Sequence, residues 1–154
     1  MEMREILFRG KQANNGKWAF GYLFDDGLID RKRAFVGGLV VTDAKDTTSD
    51  RYEIRIVFYE VDPATIGQYT GLTDKNGVKI FEGDIITCRQ YLGGNFVDYH
   101  IEKGDVEMKF GAFGLHRKQG YYRPFKDWLE DYEFEVTGNI HDNPELLRKE
   151  DTKC

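Results

Sequence analysis

Gln68-Tyr69-Thr70-Gly71-Leu72-Thr73-Asp74-Lys75-Asn76-Gly77-Val78-Lys79-Ile80-Phe81-Glu82-Gly83-Asp84-Ile85-Ile86 is the most informative stretch of this 154-residue chain. Its apolar residues Tyr69, Leu72, Val78, Ile80, Ile85 and Ile86 flank a polar tip at Asp74–Gly77. Asn76-Gly77 is a strong turn signal, because Asn tolerates and Gly prefers left-handed backbone angles. Glu82-Gly83-Asp84 reads as a second tight corner, with Gly83 supplying a conformation that a Cβ would oppose. A hairpin followed at once by a new strand is the signature of a β-rich protein.

The same grammar extends outward. Trp18, Phe20 and Tyr22 alternate, and so do Val106, Met108 and Phe110, as well as Tyr132, Phe134 and Val136. Each set places apolar groups on one face of a strand. Tyr52, Ile54, Ile56 and Phe58 against Glu53 and Arg55 predict a half-buried strand. Phe35-Val36 and Leu39-Val40-Val41 read as two short pieces separated by a joint at Gly37-Gly38. Asp62-Pro63 caps one helical turn over 64–66, and Asn143-Pro144-Glu145 caps a short terminal helix through Leu147. Asp127-Trp128-Leu129 reads as another brief turn, Thr42–Asp50 as a polar loop, and Gln90–Gly104 as a long loop or loose hairpin. The expected fold is mainly β, with short helical turns and a soft boundary dividing the chain into 1–64 and 65–154.

Composition narrows the function classes. With 11 Phe and 9 Tyr there is material for a core, and flat rings suit a pleated surface. A net charge of −5 disfavours a general nucleic-acid coat. Cys88 and Cys154 are too few and too far apart for a disulfide framework, which fits a reducing compartment. No stretch approaches the roughly 20 apolar residues of a membrane span. The expected location is the cytoplasm, with no membrane association.

Three blocks carry a family resemblance. They are the central stretch Gln68–Ile86, the opening Arg4-Glu5-Ile6-Leu7-Phe8-Arg9, and Glu135-Val136-Thr137-Gly138-Asn139-Ile140 followed by Asn143-Pro144-Glu145-Leu146-Leu147. In this order they resemble the YopX family of phage and prophage proteins. The resemblance implies a phage or prophage origin, with a bacterial host cytoplasm as the setting, and an SH3-like β-barrel in the C-terminal half, 65–154. It brings no catalytic residues to carry over. Gly71, Asp74, Asn76, Gly77, Glu82, Gly83, Asp84, Gly138, Asn139 and Pro144 are the turn and motif residues of that pattern.

Candidate chemistry is sparse. Asp74, Glu82 and Asp84 could hold a hard cation if they converged, but turn residues of this kind ordinarily bond backbone N–H groups. His100, His116 and His141 are scattered, and neither cysteine has a partner at zinc spacing. Phosphate-binding glycine motifs are absent, and the single serine, Ser49, has no nucleophile elbow around it. No cofactor and no metal site are therefore expected. Arg117, Lys118, Tyr121, Tyr122 and Arg123 mix cations with aromatic rings, as single-stranded nucleic-acid platforms do. The sequence favours a non-enzymatic module that binds a protein partner or a second copy of itself, with nucleic-acid binding as the alternative and a metal-assisted enzyme third.

Overall fold

The computed structural model describes residues 3–25, 32–43, 52–92, 95–117, 121–127 and 132–147. Of the expected loop Thr42–Asp50, Thr42 and Asp43 belong to a strand and 44–50 lie outside the described residues, as do Gly93, Gly94, Lys118, Trp128, Leu129 and Cys154 and the side chains of Thr42 and His100. Among the described residues there are eleven strands, and their pairing is antiparallel throughout. They are β1 (Phe8–Lys11), β2 (Trp18–Asp25), β3 (Ala34–Asp43), β4 (Tyr52–Val61), β5 (Gly67–Thr73), β6 (Lys79–Phe81), β7 (Asp84–Leu92), β8 (Asn95–Lys109), β9 (Ala112–Arg117), β10 (Tyr122–Pro124) and β11 (Tyr132–Asn139). Two compact units result: Glu5–Gln68, and Tyr69–Cys154 together with Met1–Arg4.

In the first unit the strand order is β4-β3-β2-β1, with the start of β5 beside β1. The turn Pro63–Thr65 begins where Asp62 Oδ1 accepts from Ala64 N at 3.0 Å, with Pro at the first position, as its sequence predicts. Gly37 and Gly38 are not a joint but the interior of one ten-residue strand. A Cβ on Gly37 would sit 1.9 Å from the Val57 carbonyl oxygen, so backbone approach, not flexibility, requires this glycine. Ala19, Ala34, Val36 and Val61 form the core, with Leu23 and Ile66 against it.

The second unit holds the β5–β6 hairpin and a five-stranded sheet of order β10-β9-β8-β7-β11. Ile80, Ile86, Cys88, Val106, Leu115, Phe125 and Phe134 make its core. Gln90–Gly104, expected as a loop or loose hairpin, is largely paired strand, with a register shift between Arg89 and Gln90. Phe110-Gly111 is the tip of a two-residue hairpin with φ of 53° and 76°, which the alternation of Val106, Met108 and Phe110 concealed. The turns Phe125–Asp127 and Pro144–Leu147 are short 310 segments. Strand pairing among the described residues gives two antiparallel sheets and no closed barrel. The expected SH3-like closure is not seen because β6 pairs with β5 alone, and the hairpin tip meets β11 through a loop.

Candidate functional site

The family-motif residues act as scaffold. Asp74 Oδ1 accepts from Asn76 N at 2.8 Å and Val78 N at 2.9 Å, while Oδ2 accepts from Val136 N, 62 residues away, at 3.0 Å. Burial works against this charge, but the bonds from Val136, Val78 and Asn76 outweigh it and hold the carboxyl below its ordinary pKa. Asp84 is buried, and its Oδ2 accepts from Phe81 N at 2.8 Å. Gly83, at φ 84°, donates its N–H to Val106 O and accepts at its carbonyl from Ile140 N. Gly71 and Gly77 also have positive φ, and Gly77 N donates to Asp74 O. Asn139 Oδ1 accepts from His141 N and Asp142 N. A Cβ on Gly138 would meet Leu146 and Asn143 below 3 Å, just where the Pro144 turn returns. Glu82 is half-buried beside the Gly83 corner. Turn closure thus occupies Asp74 and Asp84, which the third expectation needed as cation ligands.

The basic and aromatic run 117–123 is divided by the pleat. Arg123 pairs in register with buried Leu115, while Tyr122 pairs with His116 on the opposite face. Arg117 Nη2 donates to Glu102 Oε1 at 2.9 Å, and Arg123 Nη2 donates to the Asp127 carbonyl. The Tyr122 hydroxyl donates to the carbonyl of Ala112, with that of Lys109 3.4 Å away. Tyr121 is exposed, and Lys118 lies outside the described residues. Arg117 and Arg123 therefore do not share a face with Tyr122.

Sequence reading along the chain missed a titratable cluster that register creates. Asp105 opposes His116 across the β8–β9 hairpin, and Glu107 follows on the same face two residues on. His116 Nδ1 lies 3.4 Å from an Asp105 oxygen and 3.8 Å from a Glu107 oxygen. One ligand atom from each of these three residues lies within 4.8 Å of the others, a spacing that could share a cation. Lys109 Nζ already stands 3.5 Å from Glu107. Burial, and then the Glu107 charge, raise the Asp105 pKa, with His116 opposing. The signal for this trio was the Phe110-Gly111 turn, which once placed pairs residues 105 and 116. On the core side Cys88 is fully buried, and burial, with Glu102 next, pushes its thiol up to about 12.

The most extensive feature is apolar. On the β2–β3–β4 sheet, Tyr22, Gly37 and Phe58 form one row across the strands, Leu39 opposes Ile56, and Val41 opposes Ile54. These rows share one face with Phe20 and Phe24, and their large side chains are exposed, Leu39 by 68% and Ile56 by 69%. Ile54, Ile56 and Phe58, expected to be half-buried, instead meet solvent. Phe24 and Phe58 pack edge to face at 4.6 Å. At one end Arg33 binds Glu60 through two 2.9 Å hydrogen bonds and stacks over Phe35. At the β1 side Arg9 and Lys11 lie over the Trp18 ring. A cleft of about 240 Å³ borders this region, lined by Gln12, Ala13, Asn14, Phe58, Tyr59 and Glu60.

Among the described residues no helix is long and apolar enough to cross a membrane. A search of curated proteins finds no match. The crystal structure of protein EF1440 from Enterococcus faecalis is similar over 95% of this chain and 100% of its own, with a TM-score of 0.57. At 24% identity that likeness speaks for the fold alone. The YopX protein family matches residues 7–148, nearly the whole length, and the chain accordingly belongs to the YopX family.

Proposed function

We propose that this protein is a non-enzymatic binding module of phage or prophage origin. It works in the bacterial cytoplasm and docks through the exposed face of β2, β3 and β4. The observation that carries this reading is the continuous apolar surface from Phe20 to Ile56, with no charged side chain in its middle rows. Large exposed apolar patches on folded proteins mark interaction surfaces. The aromatic enrichment of this one is typical of protein contacts.

The nucleic-acid alternative has weaker support. Phosphate binding needs cations turned toward the ligand, whereas Arg117 is engaged with Glu102 and Arg33 with Glu60. The aliphatic half of the face, Leu39, Val41, Ile54 and Ile56, offers neither a cation nor a ring on which a base could stack.

Hydroxyl-radical footprinting tests the proposal. Labelling of Leu39, Ile54 and Ile56 should fall when the dilute chain is placed in concentrated bacterial extract, or is itself concentrated, while exposed Met108 in the other sheet is unaffected. Full-rate labelling of the face under every condition overturns the proposal.

A further inference from the structure

Resting on that reading, we infer that the occupant of this face is a second copy of the same chain, placed by a twofold axis so that two β2–β3–β4 sheets stack face to face. Three observations select this partner. First, the large apolar residues of these rows are 37% to 69% exposed, which at roughly 200 Å² per large residue amounts to about 900 Å² per protomer, against about 800 Å² per partner in a standard stable interface. Second, the middle rows of the face, Tyr22–Gly37–Phe58, Leu39–Ile56 and Val41–Ile54, carry no charged residue within a chain of net charge −5. The Glu60 charge at its end is answered by Arg33 on the same protomer. Two copies can therefore bring these middle rows together without opposing like charges, and rows with no charge to be matched present no pattern that calls for a complementary, different protein. An isologous contact needs only such a self-matching patch. Third, a sheet needs a second layer on each apolar face. The side bearing Ala19, Val36 and Val61 carries this unit's buried core at one end, with Val40 exposed at the other, while the opposite side is open from Phe24 to Ile54. Sheet-on-sheet stacking at about 10 Å would supply the missing layer.

Sedimentation velocity on the full chain between about 1 and 100 µM tests this, a range spanning ordinary dimer affinities. The expected result is a monomer–dimer equilibrium. Ile56→Lys and Leu39→Lys should each weaken it at least about 100-fold, as expected for a cation buried near an interface centre. Met108→Lys, on the other sheet, should leave it unchanged. Ile56→Thr keeps β-branching and should weaken the dimer less than Ile56→Lys, which guards against a variant that fails to fold. A wild-type monomer at every concentration overturns the inference, and so does a dimer indifferent to both lysine substitutions. Footprinting in extract separates that failure from failure of the binding reading. A monomer whose face is protected in extract has another macromolecule as occupant, whereas a monomer labelled at full rate there removes both proposals.

Discussion

Asp74→Ala removes a single carboxylate that closes the hairpin tip and ties it to β11. Three backbone N–H groups lose a charged acceptor: those of Asn76, Val78 and Val136. Asn76 and Val78 are exposed, so their N–H groups can turn to water, and each loss costs about 0.5–1 kcal/mol. Val136 is half-buried and donates to the oxygen that makes the long-range tie, so its loss costs about 1.5–2 kcal/mol. The total is about 3 kcal/mol, equivalent to a fall of about 10 °C in Tm for a chain of this size. Asp74→Asn keeps one acceptor oxygen and should lose about half as much.

The pH dependence has a definite sign. The folded pKa lies below the ordinary 3.8, so the stabilisation is present above 3.8 and is lost as pH falls through the lower folded value. Urea midpoints measured from pH 6 down to pH 2 should show the wild type losing this increment at the acid end, with a flatter acid limb for Asp74→Ala. An alanine variant within 0.5 kcal/mol of wild type at pH 6, or one with an unchanged acid limb, would refute the bookkeeping.

Further predictions follow from single sites. Gly37→Ala should prevent proper pairing of β3 with β4, because its Cβ would collide with Val57 O, and circular dichroism should show lost strand content. Phe110→Asn should stabilise by about 1 kcal/mol in thermal melts, because Phe110 is almost fully exposed at φ 53° and Asn accepts that angle more readily. Asp105→Asn should be neutral or stabilising at pH 7. The raised pKa means that wild-type stability falls as pH climbs from 3.8 through the folded value, and the amide removes that loss. Cys88 should resist thiol reagents in the native chain and react once denaturant is added, since its thiol is buried with a pKa near 12.

What was legible in the sequence was what local chemistry alone determines. Asp74, Gly77 and Gly83 announced their turns because few other residues close a backbone that way, and Asp62-Pro63 and Asn143-Pro144 did the same for two helical turns. Phe110-Gly111 was illegible because phenylalanine is not a turn residue, so tertiary pairing overrode local preference there. Gly37-Gly38 looked like a joint because sequence cannot distinguish a glycine needed for flexibility from one needed for close approach. The run 117–123 looked like one patch because a reading along the chain ignores the pleat that sends Tyr122 and Arg123 to opposite faces. Ile54, Ile56 and Phe58 carried the deepest ambiguity. Alternation tells which face of a strand is apolar, but not whether the same chain covers it.

That ambiguity explains why the recognisable part of this protein and its proposed working surface fall in different places. A carboxylate that must accept from Val136 and Val78 at once can be replaced only at a cost in stability, so such positions show themselves in the sequence as turn chemistry. An apolar docking face asks only for size and hydrophobicity, and Ile, Leu, Val and Phe can exchange across it with little loss. It therefore leaves no motif. The two kinds of position should separate experimentally. Asp74→Asn should lower stability while leaving association at full strength in the folded fraction. Ile56→Lys should abolish association while the monomer keeps its strand content. Ile56→Leu should change neither. Association that fell with Asp74→Asn in proportion to nothing but its folded population, and folding that survived Ile56→Lys, would assign the motif to construction and the silent strands to contact.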